Sequence, residues 1–172
     1  EIKGIDAGGW FSPEFAGESI PRLSDVLDLM QGSHRTLNIE LKTGMVIYDG
    51  IEQQLVSLLS RYRGIDVIIS SFNHYSLRTL KSLAPELPIG ALYMEGLVEP
   101  WLYAERLNAY SLHPLYINII PELLTGCRNA GIALFPWTVD KPEDMKRMLL
   151  AKVDAVITND PMTLLSLRRS MA

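Results

Sequence analysis

Residues 37 to 42 read Leu-Asn-Ile-Glu-Leu-Lys, and this stretch constrains the fold more than any other. Side chains alternate across a strand, so Leu37, Ile39 and Leu41 share one face while Asn38, Glu40 and Lys42 share the other. The strands of a parallel sheet are normally covered on both faces and read as nearly continuous apolar runs. An acid and a base aimed inward are costly unless they meet a metal, an anion or each other. Two readings are open. One is a structural Glu–Lys pair; the other is an active-site strand carrying a metal-binding carboxylate, Glu40, and a phosphate-binding ammonium, Lys42.

Around this strand the chain alternates. Strands are expected at Leu37–Leu41, Val67–Ser71, Ile89–Tyr93, Ala109–Leu112, Ala133–Trp137 and Ala155–Thr158. Between them, apolar residues recur at helical spacing, as in Ile51, Leu55, Leu58 and Leu59, or Leu77, Leu80 and Leu83. Helices are expected over 23–30, 50–62, 75–84 and 121–130, the last stopped by Gly131. Asp140 is expected to cap a helix with Pro142 in its first turn, and Asn159-Asp160-Pro161 opens the last. Strand and helix joined by short connections imply parallel βα units in one domain over residues 1–172. About six strands and seven helices fall short of the eight of each in a (β/α)₈ barrel, so an incomplete TIM barrel is the α/β reading. An open doubly wound sheet could hold six strands as well, but no Gly-rich phosphate loop follows any strand.

Composition excludes a few classes of partner and site. The 172 residues carry 16 Lys and Arg against 20 Asp and Glu, with no basic tract, which gives no electrostatic case for nucleic acid. No apolar run approaches the roughly 18 residues of a membrane span. The lone Cys127 excludes an intrachain disulfide and a cysteine zinc cage, and its helical setting suggests a small buried thiol. An unpaired cysteine fits a reducing cytoplasm.

The C-terminal strand ends carry Glu40 and Lys42, Ser71 to Asn73, Tyr93 and Glu95, His113, and Trp137 with Thr138. In a barrel, that rim is where functional residues collect. At these residues the sequence resembles the glycerophosphodiester phosphodiesterase family. The resemblance runs through Asp6 to Glu18, Ile20-Pro-Arg-Leu-Ser-Asp-Val-Leu27, Asn38-Ile-Glu-Leu-Lys42, Ser70-Ser-Phe-Asn73, Pro136-Trp-Thr-Val-Asp140 and Asp154 to Pro161, in family order. It implies a (β/α)₈ barrel that uses a divalent metal, Mg²⁺ or Ca²⁺, to hydrolyse glycerophosphodiesters to glycerol 3-phosphate and an alcohol, in glycerol and lipid metabolism.

Residue by residue, the resemblance makes Glu40 a metal carboxylate and Lys42 a phosphate contact in catalysis. Trp137 becomes an aromatic wall, with Phe72 and Trp10 lining the same cleft. His113, at a strand end before Pro114, is a further candidate for the substrate pocket; His34 and His74 read as surface or capping residues. Asp140 stands where the family often has Asn, a departure assigned to helix capping. The family's His-Arg, Glu-x-Asp and His-Asp motifs do not occur here. The expectation is therefore that this segment alone is catalytically inactive. About 50 to 70 upstream residues would complete the barrel and supply those motifs. The alternative is a non-catalytic binding or interaction module, whose open sheet edges are closed by a partner or a second copy in a homo-oligomer.

Overall fold

The computed structural model describes residues 2–171. Five strands form one sheet in the order in which they occur: β1 (Thr36–Glu40), β2 (Asp66–Ser71), β3 (Ile89–Tyr93), β4 (Ser111–Pro114) and β5 (Ala133–Leu134). Seven α-helices alternate with them: α1 (Leu23–Met30), α2 (Ile51–Leu59), α3 (His74–Leu83), α4 (Pro100–Leu107), α5 (Pro121–Ala130), α6 (Pro142–Ala151) and α7 (Pro161–Ser170). Among the described residues no helix is long and apolar enough to cross a membrane.

Local chemistry sets the helix limits. Prolines occupy the first turn of α4, α5, α6 and α7, where a missing N–H costs nothing. Asp160 accepts a hydrogen bond from Thr163 N at 3.0 Å and caps α7. Gly131, at φ 68°, ends α5 in the left-handed conformation that glycine tolerates best.

Strand order distinguishes the two α/β architectures left open by counting. A doubly wound sheet reverses its order at a switch point. Here each strand is laid beside its predecessor, and β2 to β5 pair in parallel. Crossovers of one hand then put α3, α4 and α5, the helices joining these parallel strands, on the same face. This is the sheet of an incomplete (β/α)₈ barrel.

The register divides the side chains between faces. Ile69 stands beside Ile89, Ala91 beside Leu112, and Leu112 beside Leu134; all are buried, on the face the helices cover. On the opposite face, Ser70 stands beside Gly90, Gly90 beside Ser111, and Leu92 beside His113. Leu41 N donates to Ser70 O at 2.8 Å, which sets Glu40 level with Ser70 and Lys42 level with Phe72. The carboxylate and the ammonium therefore belong to the helix-free face.

Several boundaries differ from the sequence reading. Five strands form instead of six. Residues 155–158 do not form a strand, although Ile157 N donates to Pro136 O and Val139 N to Ile157 O, each at 2.9 Å. Together with the bond from Ala155 N to Leu134 O at 3.3 Å, they hold the segment beside β5 without forming a strand. The fourth strand lies two residues later than Ala109–Leu112, because Ser111 to Pro114 are the residues that find partners in β3. The fifth stops at Leu134, with Trp137 joining only through a single bridge to Leu115. Asp140 does not cap α6. Lys141 is the N-cap, and the Asp140 carboxylate is taken by Asn159 N at 2.8 Å, Asn159 Nδ2 at 2.9 Å and Thr158 Oγ1 at 3.2 Å.

Backbone proximity divides the chain into two compact units. The first holds the residues up to Leu37 together with Leu58–Asp66; the second holds Asn38–Ser57 and the chain from Val67 onward. In the first, Asp6 bridges to Ser19 and Leu27 of α1 is fully buried. Arg22 N, at the start of that helix, donates to Asp25 Oδ2 at 2.9 Å. In the second, Leu77 and Leu80 of α3, Ile69, Ile89, Leu112, Val139, Met145 and Met148 form the fully buried core.

Candidate functional site

Lys42 Nζ lies 2.8 Å from Glu40 Oε1, so the two side chains meet on one side of the chain at the end of β1. The Lys42 side chain is 79% exposed and that of Glu40 31%, which leaves the ammonium free to meet a solute while the carboxylate sits at the floor.

The backbone around the pair is pinned from the helical side. Ser71 Oγ donates to Leu41 O at 2.6 Å, and Asn73 Nδ2 donates to Thr43 O at 3.2 Å. The buried Thr43 and Ser76 hydroxyls lie 2.7 Å apart. These contacts fix Leu41 and Thr43, the residues flanking Lys42, against β2 and α3. Asn73 also caps α3 by accepting from Tyr75 N at 3.1 Å. Sequence reasoning did not find this polar belt. Its only signal is the run of small hydroxyl and amide residues at 70, 71, 73 and 76, which is ordinary at a strand–helix junction.

Phe72 follows β2, and Trp137 lies beyond β5. Their rings meet edge to face, 5.3 Å between centroids and 88° between planes. In a flat sheet, three strand spacings would hold them about 14 Å apart. The sheet therefore curls toward its helix-free face, the curvature that a barrel needs. Trp137 Nε1 donates to His113 O at 2.7 Å, which fixes the indole at the rim.

His113 supports this wall from below. Its ring is fully buried, lies 4.9 Å from the Phe135 ring, and shares a 2.8 Å hydrogen bond between Nε2 and Ser111 Oγ. Burial lowers its pKa to about 4, so the ring is neutral at pH 7. Nδ1 finds no partner among the described residues, nor does the buried hydroxyl of Ser70 on the same face. Expected at the substrate pocket, His113 has no exposed surface to offer a substrate here.

Trp10 belongs to the first unit; it is 82% exposed and its Nε1 donates to Ala7 O at 2.8 Å. The loop carrying it turns on Asp6, whose carboxylate accepts from Gly8 N and Gly9 N at 2.9 and 2.8 Å, and these bonds lower its pKa. His34, also in the first unit, is exposed at φ 53°. His74 opens α3: its Nε2 donates to Leu92 O at 2.9 Å, and Nδ1 lies 2.8 Å from the Tyr103 hydroxyl. Trp101 packs on Gly126 of α5, so it is a helix–helix contact. Cys127 is buried, and burial pushes its thiol up to about 11, which removes it as a nucleophile.

Among the described residues no three His, Cys, Asp or Glu side chains gather as a metal would require. Glu40 can give a hard cation one or two oxygens, against the six or more that Mg²⁺ or Ca²⁺ takes.

Residues 1–163 match the model of the glycerophosphoryl diester phosphodiesterase family. A glycerophosphodiester phosphodiesterase of Caldanaerobacter subterraneus subsp. tengcongensis is 56% identical over 170 residues, covering 98% of this chain and 70% of that protein. One from Bacillus altitudinis is 30% identical over 175 residues, covering 99% of this chain and 71% of that protein. Among solved structures, an Oleispira antarctica phosphodiesterase in complex with sn-glycerol-3-phosphate superposes with a TM-score of 0.85 at 24% identity, covering 96% of this chain and 68% of that one. A Silicibacter pomeroyi structure described as a glycerophosphoryl diester phosphodiesterase gives 0.84 at 24% identity, covering 91% of this chain and 58% of that one. The two solved structures show the fold alone.

Proposed function

The chain belongs to the glycerophosphoryl diester phosphodiesterase family, and we propose that the protein it represents hydrolyses glycerophosphodiesters to glycerol 3-phosphate and an alcohol. One observation carries the residue assignment: the Lys42 ammonium and the Glu40 carboxylate, 2.8 Å apart, stand together on the helix-free face at the end of β1. A phosphodiester is anionic and resists attack by water, so its hydrolysis needs charge neutralised as it builds on the phosphoryl oxygens. Lys42 is proposed to neutralise one of those oxygens. Phe72 and Trp137 are proposed as the apolar wall against which the glycerol or the alcohol lies. His113 acts on this wall as a positioning residue, through the carbonyl that holds the Trp137 indole.

Among the described residues, Glu40 alone does not make a site for a divalent cation. In the whole protein, Glu40 is proposed as one ligand of a Mg²⁺ or Ca²⁺ ion, which would supply Lewis-acid chemistry.

Proton transfer needs a group poised near the leaving oxygen. In the second unit His113 is buried and His74 is engaged at both nitrogens. This supports a further proposal: these 172 residues alone do not turn over a diester. The test uses the complete gene product, with release of glycerol 3-phosphate measured from several diesters while Mg²⁺ and Ca²⁺ are titrated. Release that depends on a cation and falls with Lys42→Met and Glu40→Gln supports the reading. Unchanged release in both variants overturns the assignment of residues, and no release from any diester overturns the reaction.

A further inference from the structure

A second place in the molecule collects positive charge. A cleft of about 330 Å³ lies between α3 and α4, lined by His74, Tyr75, Arg78, Tyr103, Arg106 and Leu107. No carboxylate lines it. Arg78 comes from α3 and Arg106 from α4, and neither makes an ion pair among the described residues. In a chain whose acids outnumber its bases, two arginines line one concave surface and neither is in an ion pair among the described residues.

The walls are held in place. The Arg78 guanidinium stacks over the Tyr75 ring, 4.8 Å from its centroid, so its planar fork is fixed before a ligand arrives. Tyr103 is tied by its hydroxyl to His74 Nδ1, and the two rings lie 5.4 Å apart. His74 Nε2 can only donate to the Leu92 carbonyl, so the ring spans from β3 to α4 and makes the cleft floor continuous with the sheet. A fixed guanidinium fork such as that of Arg78 suits bidentate recognition of a planar or tetrahedral oxyanion. A cleft of this size takes a small molecule and not a peptide.

We propose that this cleft binds a small phosphate monoester, its phosphoryl oxygens held by Arg78 and Arg106 and its organic part laid against Tyr75 and Tyr103. The site lies in the helical layer and uses none of the residues assigned to hydrolysis. A ligand there presses on His74, and through it on the strand that carries Leu92, one residue from the end of β3.

The test titrates the chain with inorganic phosphate, and separately with glycerol 3-phosphate, while the side-chain Nε–H resonances of Arg78 and Arg106 are followed. Saturating shifts with a Kd on the order of 1 mM are expected. The Arg78→Gln, Arg106→Gln double variant weakens binding at least tenfold, whereas Lys42→Met leaves these resonances responding as before. Equal affinity in the double variant overturns the proposal, as does the same response to chloride at matched ionic strength. Association with phosphatidylglycerol vesicles without any response to soluble phosphate also overturns it, since it makes the cleft a surface contact with lipid. If the double variant fails to fold, Arg106→Glu alone, at an exposed helical position, decides the matter: a tenfold loss supports the site and an unchanged Kd removes it. None of these readouts is turnover, so their failure is separate from failure of the phosphodiesterase reading.

Discussion

Glu40 and Lys42 form a 2.8 Å ion pair across two residues of one chain segment, with the lysine side chain mostly in solvent and the carboxylate mostly out of it. An exposed pair of this kind contributes only about 0 to 1 kcal/mol to stability. Its energetic role in the fold is therefore small, and with the Lys42 side chain 79% exposed little desolvation is needed to hold it. The pair makes physical sense as machinery that exchanges its internal contact for contacts with a ligand.

Lys42→Met in the complete protein is accordingly expected to lower kcat/KM for a glycerophosphodiester by about 10²-fold or more, the scale of losing one preorganised donor to developing charge. The melting temperature is expected to stay within a few degrees of the parent, because the pair is exposed. Steady-state assays of glycerol 3-phosphate release beside a thermal melt check both. A large fall in melting temperature with little change in rate would make the pair structural.

The wall made by Phe72 and Trp137 leads to a different pattern. Trp137→Leu removes the edge-to-face contact and the indole donor to His113 O. It is expected to raise KM for diesters with apolar alcohols by about two- to tenfold, the size of a lost aromatic contact of 0.5–1.5 kcal/mol. The change for glycerophosphoglycerol is expected to be smaller. Kinetics on a series of alcohols check this, and an equal effect across the series would place the indole outside the pocket.

Much of this was legible in the sequence, for identifiable reasons. The alternation of Leu37 to Lys42 gave the two faces of β1 correctly, because the period of a strand leaves only one other option. Helix starts at Pro121 and Pro161 followed from proline and cap chemistry. By contrast, Asp140 looked like a cap and instead holds Asn159, since a carboxylate before a Pro-Glu pair serves either partner and the choice depends on a segment 19 residues away. The segment 155–158 has the composition of a strand, yet too few neighbours pair with it to make one. His113 was read from its place at a strand end. Its burial follows from Phe135, Ser111 and Gly90 packing around it, none of which is visible from residue 113 alone.

The buried His113 makes stability depend on pH in a defined direction. Its folded-state pKa is lowered by burial to about 4, against an ordinary value of 6.5. Between these values the unfolded chain binds a proton that the folded chain refuses, so acid favours unfolding. Stability from this group is complete above about pH 6.5 and is lost progressively toward pH 4, by on the order of 3 kcal/mol. Denaturant melts at pH 7 and pH 4.5 measure it. His113→Gln removes the titrating group, so its stability is expected to fall less over the same interval. An identical pH dependence in parent and variant would assign the acid sensitivity to other groups.

Gly90 and His113 supply the last prediction. Gly90 lies next to Ser111 in the register, and a Cβ built on it would run into the His113 ring at Nε2 and Cε1. The ring cannot swing away, because Ser111 holds Nε2 and Phe135 lies along its face. Gly90→Ala is therefore expected to destabilise the protein by about 1 to 3 kcal/mol through overpacking. His113→Ala vacates the space that the new methyl needs, at the expense of a cavity. The double variant Gly90→Ala, His113→Ala is expected to be more stable than the two single changes add up to, by on the order of 1 kcal/mol. Urea melts of the four proteins close the cycle. Strict additivity would mean that the strand backbone yields at Gly90, so that the imidazole is not what keeps that position free of a side chain.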